Sequence, residues 1–314
     1  MTTLAELGER EIIEQFRRLL PADSSVIVGP GDDCAIVRPA TDNNFEWALT
    51  SDAVIENTHF TAETDAVGIG HKLAARCLSD LAAAGAEPMW ALINISAPPS
   101  MDADRLKAVY RATADTAAKY GLSIVGGDTS SSNALALHMF AVGRLPRGSA
   151  MLRSGASPND VVYVTGELGG SLAGRHLVFV PRVREGIWLR SQAWTSSAID
   201  VSDGLECDLR NLIDVNRNGV RIELGSIPVS ASARSCENGR SATEHALCDG
   251  EDYELLFTVP EEKADKFEKA WRSAFEVKVS RIGTVTGQAG SIDYVDTDGS
   301  IVNIRNKGYE HFRS

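Results

Sequence analysis

Aspartate recurs beside small residues in this sequence, in Gly31-Asp32-Asp33, Ser51-Asp52, Gly127-Asp128 and Asp200-Val201-Ser202-Asp203-Gly204, with Ser79-Asp80 inside a helix-like stretch. Glycine lets a backbone approach a ligand closely. Carboxylates at strand ends converge on the crevice where α/β proteins hold ligands. Hard oxygen donors with neither histidine nor thiolate among them suit Mg²⁺, which keeps waters and bridges substrate phosphates. The chemistry this implies is phosphoryl transfer by positioning and charge neutralisation, with no covalent enzyme intermediate.

Each residue also has a plainer reading. Asp203 with Glu206 fits a D-x-x-E helix cap, and Asp32 or Asp33 can serve a turn. Asp80 is harder to place that way, because an unpaired carboxylate beside the apolar face of a helix is costly. Asp128, after two glycines, fits a solvated turn poorly. The glycine run 166–174 suits a phosphate cradle at a helix N-terminus and close helix–strand packing equally. Cys34 and Cys77 read as small core residues, and His138, on an alternating strand, as structural.

Several chemistries are excluded. The chain has no G-x-x-x-x-G-K-[ST] loop, no protein-kinase H-R-D set, no G-x-S-x-G elbow and no histidine pair at zinc-ligand spacing. Its formal net charge of −12 argues against nucleic acid or an anionic membrane as partner. The five cysteines, at 34, 77, 207, 236 and 248, form no C-x-x-C pair, so a reducing cytoplasm is the expected setting. The acidic start MTTLAELGEREIIEQF lacks the pattern of a signal peptide. No apolar run approaches the roughly 20 residues that span a bilayer.

The elements that must position these aspartates follow from periodicity. Helices are expected over 5–20, from His71 to Gly85, from an N-cap at Ser100 to Gly121, and over Asp203–Asn216. Strands are expected at Trp47–Thr50 ending on Ser51-Asp52, at Met89–Ile95, and at Leu122–Val125 emptying into Gly126-Gly127-Asp128. More are expected at Ala134–Val142, Val161–Thr165, Ala198–Val201, Tyr253–Val259 and Val277–Val285. The run 166–174 is expected to open a helix. With 314 residues, two domains are the natural expectation. The Pro/Gly/Ser-rich stretch 144–160 divides them into 1–147 and 148–314. The fold class is α/β (α+β).

An ordered set of blocks carries a resemblance. They are GPGDDCAIV at 29–37, SDAVIENTHF at 51–60, LSDLAAAGAEPMWALINIS at 78–96, VGGDTS at 125–130, RSGASPNDVVYVTGELGGSLAG at 153–174, AIDVSDGL at 198–205 and DGEDYELLFTV at 249–259, with GYEHF near the end. In this order, over nearly the whole chain, they resemble the thiamine-monophosphate kinases. That family belongs to the superfamily of aminoimidazole ribonucleotide synthetase. The resemblance implies two α/β domains, with N-terminal domains pairing their sheets in a homodimer beside the active site. It implies ATP- and Mg²⁺-dependent phosphorylation of thiamine monophosphate to thiamine diphosphate, with several magnesium ions. It further implies Asp33, Thr50, Ser51, Asp52, Asp80, Asp128, Asp200 and Asp203 as metal contacts. Gly127, Asp128, Arg153 and Ser202 would hold ATP, and His59, Glu251 and Tyr309 would hold the acceptor. No general base is implied, because the acceptor is already an anionic phosphate oxygen. The chain departs from the family pattern at Cys77, at Cys248-Asp249 before Gly250, and in a short segment after Gly174. The alternatives are another ATP-dependent enzyme of the superfamily or a non-catalytic binding protein. Retention of all six candidate metal aspartates speaks against the latter.

Overall fold

The computed structural model describes residues 6, 11, 13–15, 23–29, 31–39, 43–195, 197–216, 218–302 and 304. Of the helix expected over 5–20, only 6, 11 and 13–15 are described, and each is helical. Tyr309 lies outside the described residues.

The first half is built on a six-stranded sheet. Its strands are β1 (Val26–Val28), β2 (Ala35–Val37), β3 (Phe45–Ile55), β4 (Glu87–Ala97), β5 (Ser123–Ser131) and β6 (Ala136–Pro146), in the order β1-β2-β3-β6-β4-β5. All pairs are antiparallel except β4 with β5. Helices α1 (Ala66–Ala83) and α2 (Ala103–Lys119) belong to this half. On β4 and β6 burial alternates. Ile93, Leu137 and Met139 are buried, whereas Trp90, Leu92, His138 and Phe140 are exposed. That is the period of two of a sheet covered on one face only.

Several strands run further than expected, β3 and β5 past their aspartates. β3 continues past Ser51-Asp52 to Ile55, because its ladder with β6 is unbroken from Phe45 opposite Pro146 to Ile55 opposite Ala136. β5 continues through Gly126-Gly127-Asp128 to Ser131. Asp52 and Asp128 therefore sit within strands, not at their ends. Gly127 is needed there, since its φ is +155° and a Cβ would come within 1.8 Å of the Ile93 carbonyl oxygen on β4. α1 starts before His71, with Asp65 as its cap. Asp102, not Ser100, caps α2, its carboxylate accepting from the Asp104 N–H at 2.9 Å.

The second half carries a seven-stranded sheet of β7 (Val161–Thr165), β8 (Ala198–Asp200), β9 (Gly219–Glu223), β10 (Leu255–Val259), β11 (Val279–Thr286), β12 (Ile292–Val295) and β13 (Ile301–Val302). The order is β13-β12-β9-β11-β7-β10-β8. Its helices are α3 (Val183–Ser191), α4 (Leu205–Asn216), α5 (Ala231–Arg234), α6 (Ala242–Cys248) and α7 (Glu261–Ala274). β7 and β10 are buried throughout, and their alternate residues feed two cores. Tyr163 and Phe257 pack with Phe267 and Trp271 of α7, while Val162, Val164 and Leu256 pack with Leu205, Leu209 and Leu212 of α4. The first of these cores also contains Leu73, Leu78 and Leu81 of α1, so apolar packing joins the two halves. α3 lies against the end of α1, where a Cβ on Gly186 would meet the Ala82 carbonyl oxygen at 2.1 Å.

Candidate active site

α1 is the element that assembles the site. Lys72, Arg76 and Asp80 follow at intervals of four, so they share one face of the helix. The second half supplies the facing residues through Asp200, at the end of β8, and the segment 249–254 before β10.

At the C-terminal end of this stripe, carboxylate oxygens of Asp33, Asp80 and Asp200 all lie within 4.8 Å of one another. Thr50 donates to Asp80, and Ser79 donates to Asp200. Arg153 grips Asp33, donating from Nη2 at 2.9 Å and from Nε at 3.3 Å. Asp32 is not one of the trio and accepts backbone N–H groups of Asp33 and Arg153 at 3.0 and 3.1 Å. It is thus the turn residue of the Gly-Asp-Asp loop, and Asp33 is the one that meets Asp80 and Asp200.

Burial, then the Asp52, Asp200 and Asp33 charges, push the Asp80 carboxyl well above the usual carboxylate range. Burial, then Asp33, lift Asp200 to about 7. Like charges about 4 Å apart repel by roughly 4 kcal/mol at an effective dielectric of 20. The hydrogen bonds described for Asp80 and Asp200 come from hydroxyls, which bring no charge, and the Arg153 charge opposes the rise of Asp200 less than Asp33 drives it. Buried carboxylates of this density fit a hard divalent cation.

Ser202 and Asp203 follow Asp200. Both donate backbone N–H bonds, at 3.1 Å each, to Asp208 Oδ2. Asp203, Cys207 and Asp208 form a second group with ligand atoms within 4.8 Å of one another. Burial, then Asp203 and Asp200, raise the Asp208 carboxyl. The D-x-x-E cap is not what Glu206 makes, since its carboxylate takes Arg210 Nε at 2.6 Å.

Beside the trio, a cavity of about 160 Å³ is lined by His59, Arg76, Leu172, Asp203, Glu251 and Tyr253, among others. Arg76 Nη2 meets Asp52 Oδ1 at 2.9 Å, and its Nη1 lies 4.0 Å from Glu251 Oε1. Lys72, fully buried, donates to Glu251 and to the His59 carbonyl oxygen at 3.0 Å. Desolvation pulls the Lys72 ammonium below its ordinary range, against the pull of Glu251. His59 Nδ1 accepts the Ile55 N–H at 3.1 Å, which fixes its ring. Glu251 and Tyr253 hold positive φ, 64° and 53°. Such backbone costs about 1–3 kcal/mol per residue and persists where surroundings enforce it. Here the N–H groups of both residues bond the carbonyls of Ser202 and Val201, at 2.7 and 2.8 Å. The Tyr253 ring stacks on Phe179 at 4.1 Å.

Not every expected residue joins this assembly. Ser51 and Asp128 are exposed. Asp128 aligns with Asn94 and His138 across the uncovered face of the first sheet. β5 is separated from β3 by β6 and β4, which places Asp128 about 14 Å from the Asp52 strand at the usual strand spacing. The glycine run 166–174 opens no helix. It forms two short 3-10 turns, Ser171–Ala173 and Arg175–Leu177. Its amides are filled from within the protein, Gly169 N–H by Asp252 at 2.9 Å and Gly170 N–H by Asp249 at 2.9 Å. A Cβ on Gly169 would sit 2.6 Å from Ala246 N, so packing, not a phosphate, is the reason for glycine.

Sequence reasoning missed Lys72, Arg76, Asp208 and Tyr253. The interval of four leading to Asp80 was the available signal for the first two. Nothing local marked Asp208, whose role comes from turning back onto 202–203.

Residues 31–145 match the AIR synthase related protein N-terminal domain family, and 181–296 match the corresponding C-terminal domain family. A curated thiamine-monophosphate kinase of Haemophilus influenzae is 32% identical over 330 residues, with 98% of each chain covered. That of Escherichia coli K12 is 34% identical over 330 residues, covering 97% of this chain and 98% of its own. The solved structure of AaThiL complexed with AMPPCP and TMP superposes with a TM-score of 0.81 at 29% identity, covering 99% of each chain. Among the described residues no helix is long and apolar enough to cross a membrane. With the two-domain mixed α/β fold and this near full-length identity, the chain belongs to the thiamine-monophosphate kinase family.

Proposed function

We propose that this chain transfers the γ-phosphoryl group of ATP to the phosphate of thiamine monophosphate, giving thiamine diphosphate and ADP, in the last step of thiamine diphosphate synthesis. Its relatives are named for that activity. The observation that carries the reading is the convergence of Asp33 and Asp80 with Asp200, from opposite halves, beside the cavity of His59 and Glu251. The cavity receives the acceptor between Glu251, His59 and the Tyr253 ring, and Tyr309 is a further expected contact. A carboxylate and an aromatic face suit the cationic thiazolium ring.

Asp33, Asp52, Asp80 and Asp200 would hold magnesium, with Thr50 and Asp203 as added oxygen donors, and Ser51, opposite Phe140 on the open face of the sheet, would contribute from there. When bound, magnesium supplies positive charge against the phosphates of both substrates. Arg153, which grips Asp33, is the cation at hand for ATP, with Ser202 and Gly127 as further expected contacts. The acceptor oxygen forms a bond to Pγ as the bridging oxygen to Pβ leaves. No side chain need take a proton, so the protein's work is to align two anions.

The working unit is a homodimer. Trp90, Leu92, Phe140 and Val125 leave an apolar face open on the first sheet, and Trp47 stacks on Trp90 at 5.3 Å. A second copy of this sheet covers that face. The pairing also gives Asp128 a place, completing the metal site of the other protomer. The division at 147 separates the dimerising half from the half that brings Asp200 and Asp203. The cytoplasm is the setting, in keeping with five cysteines that form no disulfide.

Phosphorus-31 NMR of protein with ATP and thiamine monophosphate tests the reaction. Thiamine diphosphate and ADP should appear in equal amounts and only with magnesium. A folded protein that binds both ligands and makes no diphosphate would exclude it.

A further inference from the structure

Arg76 stands between the two halves of the proposed chemistry. One edge of its guanidinium is held by Asp52 of the metal group, at 2.9 Å, and Glu251 of the acceptor pocket lies 4.0 Å from Nη1. Yet Nε and Nη1, both buried, have no hydrogen-bond partner among the described residues. The side chain keeps 15% of its surface, on the wall of the 160 Å³ cavity. Buried guanidinium donors are ordinarily filled, and an arginine left short of acceptors is a site awaiting one. The other cation of the pocket, Lys72, is already spent on Glu251 and the His59 carbonyl. Arg76 is thus the cation that lines this wall, with two buried donors that the described residues leave unfilled.

The acceptor must present its phosphate toward the metal group and its cationic ring away from it. Arg76 lies where those two requirements meet, and phosphate oxygens are the acceptors that best match a guanidinium. We propose that Arg76 reads the phosphate of thiamine monophosphate, holding it beside Asp52 and distinguishing it from unphosphorylated thiamine. The proposal rests on the reading of the reaction given above.

Calorimetry with thiamine monophosphate and with thiamine, on the full chain and on Arg76→Gln, separates the possibilities. Arg76→Gln should weaken thiamine monophosphate by about 30-fold, the scale of a lost charge-assisted hydrogen bond, and thiamine by less than about twofold. In steady state the KM for thiamine monophosphate should rise far more than the KM for ATP. Arg76→Lys keeps the charge without the planar donors, and should recover part of the lost affinity for the phosphate ester alone. It also carries the test if Arg76→Gln does not fold. Equal weakening of both ligands, or no weakening of thiamine monophosphate, overturns the role of Arg76. Failure of the unsubstituted protein to bind thiamine monophosphate overturns the reaction as well.

Discussion

Two groups of buried carboxylates lie on neighbouring segments of this molecule, and they differ in what neutralises them. Asp252 and Glu254 lie in the segment 249–254, before and at the entry to β10. Glu254 takes Arg182 through two bonds, 2.7 and 2.6 Å, plus the Thr165 hydroxyl at 2.5 Å. Asp252 takes Arg175, Ser171 and the Gly169 amide. Every charge there has an arginine, and the result is structure: the loop 166–177 is tied to β10. Asp80 and Asp200 are equally crowded by protein but have hydroxyl partners and each other. Burial of a carboxylate is therefore not the mark of function. Within these two groups, the carboxylates that no arginine or lysine grips directly are the ones left for a ligand's charge.

The largest way to break this contrast is Asp80→Asn. Turnover should fall by about 10³-fold, the scale of losing one preorganised electrostatic contact. The metal-free protein should melt at a higher temperature, since a repulsive charge is gone. A lowered melting temperature would show that Asp80 is structural. The mirror experiment is Arg182→Ala. It strands Glu254 and should cost about 3–5 kcal/mol of stability in urea unfolding, with the rate per folded molecule within about threefold.

The next effect sharpens the place of Asp128. Asp52→Asn and Asp128→Asn proteins should each be inactive, and after unfolding and refolding together they should recover roughly a quarter of normal activity, through mixed dimers with one intact site. No recovery would mean that both residues serve one protomer's site. Smaller still is the metal effect on stability. Magnesium at about 100 times its dissociation constant should add about 2.7 kcal/mol, and Asp80→Asn should abolish most of it.

The smallest effect is the pH dependence without metal. The Asp200 carboxyl is raised from 3.8 to about 7 in the folded protein, so the folded state holds more protons than the unfolded one between those values. Stability of the metal-free protein should then fall as pH rises from about 4 to about 7, and level off above. Urea unfolding across that range checks the sign, and a rise would mean that the trio is already neutralised.

Much of this was legible in the residues. The aspartate blocks marked the trio, and strand periodicity found β7, β8 and β10. The errors had physical causes. β3 and β5 were cut short at their aspartates because a polar residue within a strand reads as its end, whereas the long ladder to β6 decides where β3 stops. α7 went unread although Ala264, Phe267 and Trp271 carry helical spacing. The glycine run stayed open between two uses until Asp249 and Asp252, some 80 residues on, were found filling its amides. Partners so distant leave no local pattern. Arg76 stands at the interval of four from Asp80, which was legible, but its neighbour Glu251 lies on the other half of the chain, and that nearness was not.

The central claim is that Asp33, Asp80 and Asp200 hold the metal that phosphoryl transfer requires. Anomalous diffraction from crystals grown with Mn²⁺, an ATP analogue and thiamine monophosphate tests it most directly. The account predicts a manganese peak bonded to carboxylate oxygens of all three residues. Manganese found only elsewhere, with this trio unliganded, would contradict it.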